Sequence, residues 1–136
     1  MEKEIIVLME KNKETGEFVR EIESYDLENI DLIKGLFAYK DEKGNYHVCI
    51  TVSTDRDLED WEYTAFYDYV DFSEFKDLYE DYEELDQEYN PCFRFTLKYN
   101  EEKMEEILSS LMDKFVEEQN RVYEEIKDLK DQYISE

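Results

Sequence analysis

From Met104 to Ile134 apolar side chains return every three or four residues, through Leu108, Leu111, Phe115, Val122, Ile126, Leu129 and Tyr133. That period belongs to an α-helix with one face turned to a core. Asn100 is its expected N-cap. Glu101 and Glu102 at the start, with Lys127 and Lys130 near the end, suit the helix dipole. A helix of ~34 residues is roughly 50 Å long, whereas a compact domain of this size has a radius of gyration of about 14 Å. The far end must therefore project, bend or be covered by a second chain. On the last option Val122, Ile126, Leu129 and Tyr133 are the expected interface of a homodimer.

The rest of the chain reads mostly as sheet. Ile5–Lys11 and Glu17–Ser24 are two strand-like runs separated by Lys13-Glu14-Thr15-Gly16, where Gly16 supplies the positive φ of a hairpin loop. A short helix is expected after Asp26, through Leu27, Ile30 and Ile33, with Gly35 closing it in a left-handed conformation. A second hairpin follows, Leu36–Lys40 and Tyr46–Thr54 around the turn Asp41–Asn45. Val48, Ile50 and Val52 alternate there with His47, Cys49 and Thr51. Phe93, Phe95, Leu97 and Tyr99 alternate with Arg94, Thr96 and Lys98 in the clearest strand of all.

Between these parts lies a segment of different composition. Asp57–Cys92 holds fourteen acidic residues against the single base Lys76, and ten of the chain's aromatics. Disordered acidic spacers lack aromatics, so the segment is expected to fold. Phe75, Leu78, Tyr79, Tyr82, Leu85 and Tyr89 line one face of an expected helix over Ser73–Glu88. Glu74, Asp77, Asp81, Glu84 and Glu88 line another, and Asn90-Pro91 ends it. Trp61–Val70 fits either helix or strand, and its Trp, Tyr, Thr and Phe content favours strand.

Over the 136 residues, 16 bases against 39 acids give a net charge of −23. This excludes cationic capture of a nucleic-acid backbone or an anionic membrane surface. No secretory signal and no run of ~20 apolar residues is visible, and two cysteines do not make a disulfide framework. A cytoplasmic protein with reduced thiols is expected.

Catalytic constellations are sparse. His47, Cys49 and Cys92 fall short of a zinc ligand set. Asp55–Asp60 resembles a calcium loop, but Asp60 stands where that loop needs Gly and Phe66 where it needs a bidentate Glu. His47 and Cys49 share a strand face, an arrangement more often structural than nucleophilic. No Gly-x-Ser-x-Gly, P-loop or dinucleotide fingerprint occurs. No catalytic residue, cofactor or metal is expected.

Ser53–Tyr63, Phe66–Tyr69 and Glu88–Pro91 together resemble segments of small uncharacterised cytosolic proteins of anaerobic Gram-positive bacteria, a domain of unknown function. The resemblance brings no catalytic residues. In size and charge alone the chain is also similar to phage-encoded inhibitors of nucleases.

These readings converge on one α+β domain over residues 1–136: two hairpins with a short helix (1–56), an acidic aromatic-rich segment (57–92), and a strand plus long helix (93–136). A mainly antiparallel sheet of four to six strands is packed by the C-terminal helix, with an acidic aromatic-rich helix inserted. The leading functional expectation is a non-enzymatic module that binds a basic protein through Glu74, Asp77, Asp81, Glu84, Glu88, Trp61 and Tyr63. The alternatives are a nucleic-acid-mimicking inhibitor of a DNA- or RNA-binding enzyme, and a divalent-cation or carbohydrate site built on carboxylates.

Overall fold

The computed structural model describes residues 3–85 and 88–134. Its strands are β1 (Lys3–Lys11), β2 (Phe18–Glu28), β3 (Ile33–Lys40), β4 (Tyr46–Ser53), β5 (Asp81–Glu84) and β6 (Cys92–Lys98). The helices are α1 (Asp60–Tyr69), α2 (Met104–Ile126) and α3 (Lys130–Tyr133). Among the described residues the strands form one sheet in the order β2-β1-β3-β4-β6-β5. Every pairing is antiparallel except β1 with β3, where only Met9↔Phe37 and Glu10↔Ala38 are in register. The fold is α+β, with the sheet mostly antiparallel and α2 as its long C-terminal helix.

Period-two alternation decides which face is covered. Ala38, Val48, Ile50, Val52, Phe93, Phe95 and Leu97 point to one side and are fully buried. The helical layer packs there: Phe115 of α2 and Phe66 of α1 both lie against Phe93, and Phe72 sits edge-on to Phe93 and Phe95 at 4.8 and 5.0 Å. Each such large side chain contributes about 1.5–3 kcal/mol by leaving water. The opposite face carries Phe37, Tyr39, His47, Cys49, Thr51, Arg94 and Thr96.

Both hairpins form where the alternation places them, and Gly16 (φ 76°) and Gly44 (φ 83°) turn their loops. The short helix expected after Asp26 does not form. β2 continues to Glu28, and Asn29 takes the left-handed conformation (φ 60°) before a single 3₁₀ turn, Ile30–Leu32. Leu27 belongs to the buried face of a strand, so its spacing to Ile30 is incidental. Gly35 lies in β3 opposite Thr51 and has no positive φ, so it does not close a helix.

An acidic aromatic-rich helix is inserted, but at Asp60–Tyr69, in the segment whose composition favoured strand. Its first turn is tied by the Glu59 N–H donating to Glu62 Oε1 at 3.0 Å, half of a capping box. The helix expected over Ser73–Glu88 is instead a kinked 3₁₀ segment, Ser73–Leu78, followed by β5. On a helix, Glu74/Asp77, Asp77/Asp81 and Asp81/Glu84 would be like-charge neighbours, each costing about 0.2–0.5 kcal/mol. Pairing with β6 gives the backbone other partners, beginning with Glu80 N–H to Thr96 O at 2.7 Å.

The C-terminal helix resolves its length problem by bending. α2 ends at Ile126, and α3 turns back toward α1, placing Tyr133 by Trp61 with ring centroids 6.3 Å apart.

Candidate interaction surface

The carboxylates singled out from sequence fall into two arrangements. Glu74 and Asp77 sit on the 3₁₀ segment and Asp81 and Glu84 on the edge strand β5, forming an exposed ridge instead of a helical stripe. On β5 the alternation sends Asp81 and Glu83 to the open sheet face. Tyr82 goes to the helical side, where its ring meets Phe72 at 5.2 Å. Glu88 is exposed in the bend after β5. Among the described residues none of Glu74, Asp77, Asp81, Glu84 and Glu88 takes part in an ion pair or side-chain hydrogen bond. Beside the ridge lies a hollow of about 480 Å³ lined by Asp77, Leu78, Tyr79, Glu80, Lys98 and Ile107.

The two aromatics expected to join them do not. Trp61 is 9% exposed and belongs to the core cluster, its neighbour being Tyr133. Tyr63 is half-buried, edge-on to Tyr67 at 5.2 Å. Both face inward from α1, because a ten-residue helix laid on α2 must bury one side. Tyr67, the third aromatic of that group, serves the backbone. Its hydroxyl accepts from the Cys92 N–H at 2.9 Å and lies 3.1 and 3.2 Å from the carbonyl oxygens of Leu85 and Cys92.

The residues expected to form a dimer interface are covered within the chain. Val122 and Ile126 are buried in the core, and Leu129 and Tyr133 pack on its edge. The Tyr133 hydroxyl donates to Asp68 Oδ2 at 2.8 Å; desolvation and then this carboxylate push it up to about 12. The bend after Ile126, not visible as any Gly or Pro in the sequence, provides the cover that a second chain was expected to supply.

Several polar clamps fix the segment to the scaffold. Glu118, 7% exposed, accepts the Asp71 N–H at 2.7 Å and holds Arg121 by both oxygens, while Arg121 also donates to Tyr69 O. Gln119 Oε1 accepts from Asp55 N–H, and Asp55 Oδ1 from the Tyr123 hydroxyl. Asn90 accepts from Leu58 N–H and donates to Asp57 Oδ1, while Ser53 Oγ donates to Pro91 O. The three stretches behind the sequence resemblance, Ser53–Tyr63, Phe66–Tyr69 and Glu88–Pro91, are thus one bonded cluster. Sequence reading missed Glu118 and Gln119 as members. They stand out only as polar residues at the edge of the apolar stripe of α2.

His47 is a further site invisible to motif reading. Its Nε2 lies 2.8 Å from Asp41 Oδ2 and its Nδ1 2.7 Å from Glu80 Oε1, with Tyr39 stacked on the ring. Hydrogen bonds to Asp41 and Glu80 raise its pKa and outweigh desolvation; the same contact lowers that of Asp41. Both ring nitrogens face carboxylates, so the imidazolium is the form that satisfies them. Cys49, two residues on, is buried and its Sγ is 3.8 Å from Thr96 Oγ1; burial pushes its thiol up, away from a nucleophilic thiolate.

Among the described residues no helix is long and apolar enough to cross a membrane. The chain belongs to a family of unknown function (DUF6762), whose profile matches residues 1–134. Comparison with curated proteins and with solved structures gives no match.

Proposed function

We propose that this family member is a non-enzymatic interaction module whose acidic ridge, Glu74, Asp77, Asp81 and Glu84, binds a basic protein partner. The observation that carries this reading is that, among the described residues, these exposed carboxylates hold no ion pair or side-chain hydrogen bond, although clamps at Glu118, Asn90 and Tyr67 hold the neighbouring backbone. A rigid row of desolvation-ready carboxylates costs little to organise on binding and steers a cationic partner at low salt. The hollow beside Asp77 offers Leu78, Tyr79 and Ile107 to the aliphatic stem of an incoming Arg or Lys, with Asp77 for its charge. The row is not helical, so the duplex-like spacing behind the nucleic-acid-mimic reading lacks its scaffold on this element.

The test compares wild type with Glu74→Gln/Asp77→Asn/Asp81→Asn/Glu84→Gln as immobilised baits in native lysate. A basic protein retained by wild type, released by salt and absent from the variant is the expected result. Identical retention by both baits would remove the ridge from the function.

A further inference from the structure

The ridge leaves the sheet's open face unexplained, and two hollows on that face are lined by more cations than carboxylates. They measure about 580 and 330 Å³ and share Lys11, Phe37 and Arg94. Four cations line them, Lys11, Lys13, Lys34 and Arg94, against the two carboxylates Glu83 and Glu88, in a chain where acids outnumber bases by more than two to one. Arg94 pairs with Glu83 at 3.1 Å, whereas among the described residues the three lysines form no ion pair. Lys11 Nζ lies over the Phe37 ring at 4.5 Å and Lys13 Nζ over Tyr39 at 4.6 Å; Lys34 reaches the carbonyl oxygen of Asp31. Lys11 and Lys13 are thus held over an aromatic floor and Lys34 against a backbone carbonyl, with so many carboxylates elsewhere on the surface.

The walls are as unusual as the floor. Phe18, at the start of β2, is 61% exposed, and Tyr89, in the bend before β6, is 79% exposed. Both line the larger hollow, beside the Thr51 and Ser53 hydroxyls. Two large aromatics left in water over one cationic hollow mark a surface that gains by being covered.

We propose that this groove binds an extended acidic peptide segment with aromatic or apolar side chains, presented by a partner protein. The hollows follow β4 from Cys49 to Ser53, about 13 Å between the end Cα atoms, which accommodates an extended segment of about five residues. Its carboxylates meet Lys11, Lys34 and Arg94, and its apolar side chains fall between Phe18, Phe37 and Tyr89. The open trough suits a strand-like ligand better than a small molecule, which needs walls on most sides. The charge of −23 does not forbid this. Locally the lining carries four cations against two carboxylates, and at physiological salt solvent ions screen more distant exposed charges over about 8 Å. A nucleic-acid strand, with a charge at every residue, meets that repulsion along its whole length. The hollows share no lining residue with Glu74, Asp77, Asp81 and Glu84, although Asp81 borders them across from Thr96, and the proposal stands or falls without the ridge.

The experiment is fluorescence anisotropy of a fluorescein-labelled peptide of about six residues alternating Glu and Phe. Its counterparts are a Lys/Phe peptide and a short oligothymidylate. Wild type should bind the Glu/Phe peptide and not the Lys/Phe peptide, more weakly as salt rises. Lys11→Gln/Lys34→Gln/Arg94→Gln should weaken binding at least about tenfold, and Phe18→Ser/Tyr89→Ser likewise. These groove side chains carry little of the core, so circular dichroism should match wild type. No binding by wild type overturns the proposal, as does equal binding by all three proteins. Tighter binding of oligothymidylate overturns it in favour of single-stranded nucleic acid. Self-association of wild type that the charge variant abolishes overturns it in favour of a second copy.

Discussion

At the scale of residues, the polar groups that matter most are those whose partners come from distant parts of the chain. His47 links the β3–β4 turn, through Asp41, to the approach to β5, through Glu80. The sequence shows one histidine in an alternating strand and nothing of this bridge, because both carboxylates reach it only through sheet pairing. The pH dependence follows from the raised pKa. In the unfolded chain His47 titrates near 6.5; in the fold it stays protonated to higher pH. Its contribution is therefore complete below about 6.5 and is lost as pH rises through the folded value. Titration of the many acids also changes stability, so the informative quantity is a difference. The melting temperature of wild type minus that of His47→Gln should be larger at pH 6 than at pH 9, and a difference that does not change with pH would show that the imidazolium bridge contributes nothing.

At the scale of elements, legibility followed the strength of the period. β4 and β6 alternate without interruption, both hairpin loops carry a glycine at positive φ, and the apolar stripe of α2 runs for six turns, so each was readable. α1 was not, because Trp, Tyr, Thr and Phe carry strand propensity and its apolar positions are few. The spacing of Glu59 to Glu62 was the local helix signal available. Over Ser73–Glu84 tertiary context overrode a helical pattern, since the edge of β6 offered backbone partners and the helix would have stacked like charges. Tyr67 ties α1 to the backbone at the start of β6, and its hydroxyl is testable apart from its ring. Tyr67→Phe keeps the contacts with Phe93 and Tyr63 but leaves the Cys92 N–H without its acceptor. An unpaired buried amide costs about 1–3 kcal/mol. Urea unfolding should show an unfolding free energy lowered by that amount, through a lower midpoint at unchanged slope. Hydrogen exchange at the Cys92 amide should accelerate, and wild-type protection there would mean that the hydroxyl does not hold the junction.

At the scale of the whole molecule, the net charge of −23 is unevenly distributed. Twelve carboxylates between Asp57 and Glu88 are exposed, four cations gather on the open sheet face, and the core between them is built from both halves of the chain. Composition revealed the surplus and the segment that carries it, but not this gathering of cations, which depends on the order of strands in the sheet. The surplus has an energetic consequence that does not depend on any partner. Folding concentrates like charges in a body whose radius of gyration is about 14 Å, whereas the unfolded chain spreads them. At 0.01 M salt the Debye length is about 30 Å and the acids repel across the molecule; at 0.15 M it is about 8 Å and most of that repulsion is screened. The thermal midpoint should therefore rise with sodium chloride over this range and then level off. Neutralising Glu74, Asp77, Asp81 and Glu84 removes four charges that no cation partners, so the variant should melt higher than wild type at low salt, and the gap should close as salt is added. A midpoint independent of salt, or a variant gap that persists at 0.15 M, would mean that these carboxylates are not a source of repulsion in the native state. That outcome would also withdraw the reason for treating them as poised for a cationic partner.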